Sequence, residues 1–273
     1  ATEGKPAARS APSQPVNPGL FDDPEPAPNP VSEVQYDTVL EMSQLDRWIE
    51  RITGAELTCI DTETTSLDGM QARLVGISLA TDAGQAAYIP LAHDGPGCPT
   101  QLDLTGVLER LRPWLENPNA RKLGQHIKYD THVWANHGIH VKGYTHDTML
   151  QSYVLEVHKP HGLESLADRH LGRKGLSYED LCGKGAHQIP FAHVAIDKAA
   201  AYSCEDADQT LDVHLALWPL LQVNDKLRFI YELEMASSEA LYRIERHGVL
   251  IDANQLAMQS QALGARIWQL EQE

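Results

Sequence analysis

Leu57-Thr58-Cys59-Ile60-Asp61-Thr62-Glu63-Thr64 is the stretch from which the rest of the chain can be ordered. Its first four residues form a short apolar run of the kind that makes a buried strand. Side chains two apart on a strand share a face, so Asp61 and Glu63 point the same way. Two carboxylates held side by side repel each other unless a cation lies between them. The competing reading of the pair is an acidic strand end facing solvent.

Outward from this strand, Leu74 to Ala80 and Ala86 to Pro90 are two more apolar runs, with turn residues Asp68-Gly69 and Asp82-Ala83-Gly84 between. The three predict an antiparallel meander. Upstream, Val39-Leu40, Leu45 and Trp48-Ile49 predict a short strand and then an amphipathic helix ending near Gly54. Downstream, a helix over 102–115, a strand at Lys122-Leu123-Gly124 and a helix from Tyr129 to His137, closed by Gly138, alternate. From Thr148 the strand signals nearly vanish. Helices are predicted over 148–156, 162–171, 196–220, 224–247 and 253–273, with Val249-Leu250-Ile251 as a short strand before the last. That last pattern reaches Glu273 without a capping residue, as though the boundary fell inside a helix. The fold class expected is α/β, a mixed sheet with antiparallel first strands flanked by many helices.

Half of the 16 prolines fall in residues 1–30, among Ala, Ser, Asn and acidic residues, and this stretch reads as a disordered linker. The formal charge of −16 excludes a protein that coats nucleic acid by bulk electrostatics, so any DNA contact must be local. The same balance suits an enzyme that gathers carboxylates around metal ions. A hydrophobic fraction of 42% and a charged fraction of 22% are ordinary for a soluble protein. No apolar run approaches the roughly 20 residues of a membrane helix, and residues 1–30 carry no secretory signal. Cys59, Cys98, Cys182 and Cys204 form no C-x-x-C pair, which argues against a disulfide framework or zinc ribbon and for a reducing cytoplasm. Phosphate-loop and dinucleotide glycine patterns are absent, and none of the 13 histidines makes a tight metal-binding pair.

Two further acidic positions complete the pattern. Gly124-Gln125-His126-Ile127-Lys128-Tyr129-Asp130 places Asp130 in the first turn of a helix, where an Asp is also an ordinary helix-start residue. Ala201-Tyr202-Ser203-Cys204-Glu205-Asp206-Ala207-Asp208 lies inside a long helix, so Tyr202 and Asp206, four apart, are neighbours on one face. There a phenol can reach a water held near the carboxylate. Asp208 falls on a different face, and the alternative for the whole segment is a solvated acidic stripe.

Together and in order, the strand D-x-E, the distal Asp130 and the helical Y-x-x-x-D resemble the four-carboxylate exonucleases of the tyrosine type, built on a ribonuclease-H-like fold. Asp61-Thr-Glu-Thr-Thr-Ser-Leu-Asp68, Ala87-Tyr-Ile-Pro-Leu-Ala-His-Asp94, Asp147-Thr-Met-Leu150 and Glu205-Asp-Ala-Asp208 are similar to the proofreading 3′→5′ exonuclease domain of bacterial family A DNA polymerases, the DNA polymerase I group. The resemblance runs from about Val31 to Glu273. It implies an exonuclease domain over 31–221 and, from Arg243-Ile-Glu-Arg-His-Gly-Val-Leu-Ile-Asp252, a truncated helical opening of the polymerase domain over 222–273.

The resemblance implies two divalent metal ions, Mg²⁺ or Mn²⁺ with Zn²⁺ acceptable in one site. Asp61 would bridge them, Glu63 and Asp206 would complete the water-activating site, and Asp130 would hold the other ion through its water shell. Tyr202 would orient the attacking water. Leu67 matches an apolar residue that wedges against the terminal bases. His126 stands where the family commonly has Asn, while Lys128 and Tyr129 match the family pattern along the DNA strand. Arg121, Lys122, Arg169, Arg173, Lys174 and Lys184 add basic groups to the same middle third, where phosphate contacts would be needed. The implied substrate is a single-stranded DNA 3′ end or frayed primer terminus, and the implied partner is the rest of a parent polymerase in the bacterial cytoplasm, at the nucleoid. Two other readings stay open: an inert exonuclease-like scaffold, and an RNA-trimming enzyme of the same superfamily.

Overall fold

Residues 34–273 are described by a computed structural model, in which six strands form one mixed sheet in the order β1-β4-β3-β2-β5-β6. The meander is there: β2 (Thr58–Thr64) runs antiparallel to β3 (Leu74–Asp82), and β3 antiparallel to β4 (Gln85–Pro90). β1 (Gln35–Thr38) adds parallel to β4 at one edge. β5 (Lys122–Gly124) adds parallel to β2, and β6 (Tyr144–Asp147) parallel to β5 at the other edge. β6 escapes sequence reading because Tyr-Thr-His-Asp has no apolar alternation. It is a strand because β5 offers an unpaired edge whose N–H and C=O groups need partners.

Helices cover both faces, which is why β2 and β3 read as nearly continuous apolar runs. On one face α1 (Met42–Gly54), α2 (Leu104–Leu115) and α3 (Ile127–Asn136) pack Leu45, Trp48, Leu111 and Trp134 against Ile60 and Ile77. On the other, α7 (Ile196–Gln222) lays Ala199, Cys204, Ala207 and Leu211 on Cys59, Val75, Tyr88 and Leu123. Close approach on this face is visible at Gly76, where a Cβ would stand 2.1 Å from Tyr88 Oη. α4 (Thr148–Leu155) and α5 (Leu163–Leu171) pack on α7, and the short α6 (Tyr178–Cys182) precedes it.

α8 (Asp225–His247) lies against α3, α4 and α7, and α9 (Ala253–Gln272) is exposed at every residue. Between them Val249, Leu250 and Ile251 are not the expected strand but an exposed coil. Both edges of the sheet, β1 and β6, lie elsewhere, so this segment has no partner for its backbone. The proline-rich stretch 1–30 lies outside the described residues. None of the described helices is long and apolar enough to cross a membrane.

Candidate active site

Strand alternation at the end of β2 distributes three side chains between two helices. Asp61 and Glu63 turn toward α7, where Ser203 Oγ donates to Glu63 Oε1 at 2.7 Å. Thr62 turns the other way and its Oγ1 donates to Asp130 Oδ1 at 2.5 Å, fixing the first turn of α3 beside the strand. One turn of α7 beyond Ser203, Asp206 accepts a hydrogen bond from the Tyr202 hydroxyl. Four carboxylates from three distant segments thus meet at one place. The strand register shifts at Glu63/Thr64, so the sheet ends its regular pairing with β3 right after the second acid.

The carboxylates strain against this arrangement electrostatically. Burial raises Asp61 to about 6. Burial, then Asp61 and Asp206, push Glu63 well up; burial and Asp61 do the same to Asp130 and to Asp206. Several like charges in a low-dielectric site cannot all ionise without compensation. A hard divalent cation is the compensation that such an all-oxygen donor set accepts, since Mg²⁺ and Mn²⁺ prefer carboxylate oxygens and water. As the side chains stand, no group of three or more His, Cys, Asp or Glu among the described residues closes around one metal position. Each acid except Asp61 instead leans on its own hydroxyl donor, Thr62, Ser203 or Tyr202. The Tyr202 phenol is itself pushed far up by burial and by Asp206, so it stays protonated.

Around this centre the predicted strand-contact residues fall into place unevenly. Leu67 stands 99% exposed on the β2–β3 loop, which Tyr129 Oη ties down by donating to Ser66 O at 2.5 Å. Tyr129 also meets the Thr64 hydroxyl, so its phenol is occupied in holding the loop. His126 is exposed, and at φ 65° it is the one non-glycine with positive φ among the described residues. Its N–H and that of Ile127 donate to Asp147 at 3.1 and 2.9 Å. Lys128 pairs with Glu245 of α8.

Two expectations for the surrounding charges, at Lys122 and Asp208, need correction. Lys122 is fully buried, donating to the Asn117 and Ala120 carbonyls above the Trp114 ring, and burial lowers it to about 8. It is no phosphate contact, because its aliphatic stem fills the interior between β5 and α2. Arg121, Arg169, Arg173 and Lys184 are each ion-paired within the chain. Asp208 is no solvated acid either: it is 0% exposed. Tyr36 Oη donates to it at 2.9 Å, the Gly84 N–H at 2.6 Å and Arg173 at 3.0 Å.

Sequence reasoning also passed over residues that build the site. Thr62 and Ser203 sit inside the two motifs, but their partners lie in other segments. Asp147, noted only within a matching stretch, receives N–H groups from the starts of both α3 and α4. Tyr178 on α6 stacks on Phe191, whose ring tilts against Tyr202. The available signal was the helix-start pair Ser177 and Asp180, which form a capping box.

A family model described as 3′–5′ exonuclease matches residues 36–222. DNA polymerase I of Pseudomonas aeruginosa is 46% identical over 246 residues, covering 89% of this chain and 27% of that protein. DNA polymerase I of Rhizobium leguminosarum is 36% identical over 263 residues, covering 89% of this chain and 26% of that protein. The chain thus spans about a quarter of the length of these curated relatives. Among solved structures, the POL domain of Pol1 from M. smegmatis, in complex with DNA primer-template and dNTP, matches with a TM-score of 0.67 at 20% identity. That match covers 85% of this chain and 36% of the other, and it is a likeness of fold.

Proposed function

Since the chain belongs to the 3′→5′ exonuclease family of the family A DNA polymerases, we propose that Asp61, Glu63, Asp130, Tyr202 and Asp206 remove nucleotides from a DNA 3′ end in the proofreading part of a DNA polymerase I. The observation that carries the reading is the convergence of four carboxylates, Glu63 and Asp130 buried and Asp61 and Asp206 half-buried, whose ionisation is suppressed by burial and, for Glu63, Asp130 and Asp206, also by the neighbouring acids. Evolution of a merely structural site has no use for mutually repelling acids. Such a cluster stores unmet demand for positive charge, and phosphodiester hydrolysis is chemistry that uses it.

Asp61, Glu63, Asp130 and Asp206 would hold two divalent ions, Mg²⁺ or Mn²⁺. Bound there, the ions neutralise charge on the phosphate and lower the pKa of the attacking water. In the hydrolysis, water adds to the terminal phosphorus, the bond from phosphorus to the 3′ oxygen breaks, and a nucleoside 5′-monophosphate leaves. Tyr202, locked in its protonated form, orients that water by hydrogen bonding and takes no proton. Ser203 donates to Glu63 and Thr62 to Asp130, which orients both carboxylates at the site before metal is bound.

Leu67, with its side chain wholly in solvent, rests against the terminal base of a frayed primer end. His126 and Lys128 reach the sugar-phosphate backbone; Tyr129 acts on the strand mainly by holding the Leu67 loop. The domain extends over 31–221, and the substrate is presented by the remainder of a parent polymerase in the cytoplasm.

The test is release of mononucleotide from a 3′-labelled single-stranded DNA with Mg²⁺ or Mn²⁺, beside a matched RNA strand. Release that disappears in Asp61→Ala and with EDTA is expected. Absence of release by folded protein with either metal sinks the reading, and faster release from RNA redirects it to RNA trimming.

A further inference from the structure

α8 begins at Asp225, after the end of the exonuclease family match at residue 222, yet one of its side chains reaches the strand-contact helix. Both oxygens of the Glu245 carboxylate are engaged there: Oε1 by Lys128 Nζ, and Oε2 by His132 Nε2 at 2.7 Å. Lys128 lies two residues before Asp130 on α3. We propose that Glu245 is a positioning residue that holds Lys128 away from the DNA backbone, so that opening this ion pair sets how tightly the site takes a single-stranded 3′ end. The inference rests on the reading of Lys128 as a strand contact.

A carboxylate and a phosphate oxygen are the same kind of partner for an ammonium group, so Glu245 and DNA compete for one cation. The contest takes place at the rim: the Lys128 and Glu245 side chains are 25% and 39% exposed, open enough for a phosphate to approach. It matters because the chain is strongly acidic, so each cation near Asp130 weighs in its affinity for a polyanion.

α8 does not depend on Glu245 for its place. Tyr231, 2% exposed, accepts the Asp147 N–H at 3.0 Å, the Tyr242 ring packs on His132 at 4.8 Å, and Arg246 donates to Asn136 Oδ1 at 2.7 Å. Removing the charge at 245 therefore frees Lys128 without releasing the helix. By the same connection, a shift of the C-terminal half of α8 alters the grip on the strand, which couples the nuclease site to whatever moves that helix.

The experiment is binding of a fluorescent oligodeoxythymidylate without divalent metal, over a range of salt, by the parent, Glu245→Gln, Lys128→Gln and the double variant. Glu245→Met, which keeps the aliphatic stem against α3, runs beside them, and melting curves establish that each is folded. Glu245→Gln is expected to tighten binding about two- to fivefold, the worth of an exposed ion pair. It also steepens the plot of log affinity against log salt by about 0.7, one added phosphate contact on a single strand. With metal, KM falls by the same factor while kcat holds. Both effects vanish in the double variant. If Glu245→Gln binds like the parent while the double variant binds more weakly than Glu245→Gln, Lys128 contacts DNA but the competition is refuted. If Glu245→Gln tightens binding equally without Lys128, the effect is general charge and the proposal fails. If no variant changes binding, Lys128 is not a strand contact and both readings fall.

Discussion

Replacing Asp61 by Asn should make the metal-free protein more stable while abolishing its activity. Asp61 is raised from 3.8 to about 6 by burial. A carboxyl whose folded pKa lies above its unfolded value weakens the fold once ionised: the cost is complete above the folded pKa and absent below the unfolded one. The upward shift of roughly two units corresponds to about 3 kcal/mol at neutral pH. For a chain of this size that is a rise in melting temperature of about 6–12 °C. Glu63, Asp130 and Asp206 gain as well, since Asp61 pushes each of them up. The assay is thermal or urea unfolding of the parent and Asp61→Asn in EDTA from about pH 4 to pH 8. The advantage should be full near pH 7.5, shrink as pH falls through 6, and be gone near pH 4. Added Mg²⁺ should narrow it by stabilising the parent. An Asn variant no more stable than the parent at neutral pH, or one whose advantage persists unchanged at pH 4, refutes the electrostatic account of this cluster.

Three further outcomes are expected. Tyr202→Phe removes a hydrogen bond to an ionised group, worth about 1.5–3 kcal/mol, so kcat should fall about 10- to 150-fold with KM unchanged, read from steady-state nucleotide release. Asp208→Ala leaves Tyr36 Oη and the Gly84 N–H without their common acceptor, while Arg173 keeps Asp212; a buried donor left unsatisfied costs about 1–3 kcal/mol, measurable as a lower urea midpoint. His126→Gly removes the steric penalty of the left-handed φ, so it should leave stability unchanged or raise it by up to about 1 kcal/mol, whereas His126→Val should lower the melting temperature.

The sequence carries the parts of this fold that are written locally. Leu57 to Ile60 gave β2, the turn pairs at 68–69 and 82–84 gave the meander, and the long helical patterns gave α7 and α8 to within a few residues. What it does not carry is partnership across distance. β6 is polar and is a strand only because β5 lies beside it. Val249 to Ile251 have strand-forming side chains and no edge to join. Lys122 and Asp208 look like surface charges until one finds the Trp114 ring over the first, and Arg173 and Tyr36 around the second. At the site, the grouping of Asp61 with Glu63 follows from alternation along one strand, and that of Tyr202 with Asp206 from one helical turn. The hydroxyls that hold Glu63 and Asp130 in place were invisible, because Ser203 lies 140 positions from its carboxylate and Thr62 lies 68 from its own.

Those long separations also bear on synthesis, which runs from the N-terminus. A chain emerging from its N-terminus can pair β2, β3 and β4 early, since these strands are neighbours in sequence. Glu63 then waits for Ser203, the Tyr36 hydroxyl waits for Asp208 across 172 positions, and the fourth carboxylate arrives only with Asp206. Every nascent fragment shorter than that carries the acids of β2 without their helix. A chain that stops before α7 therefore lacks Tyr202 and Asp206, so an unfinished product would hold only part of the site.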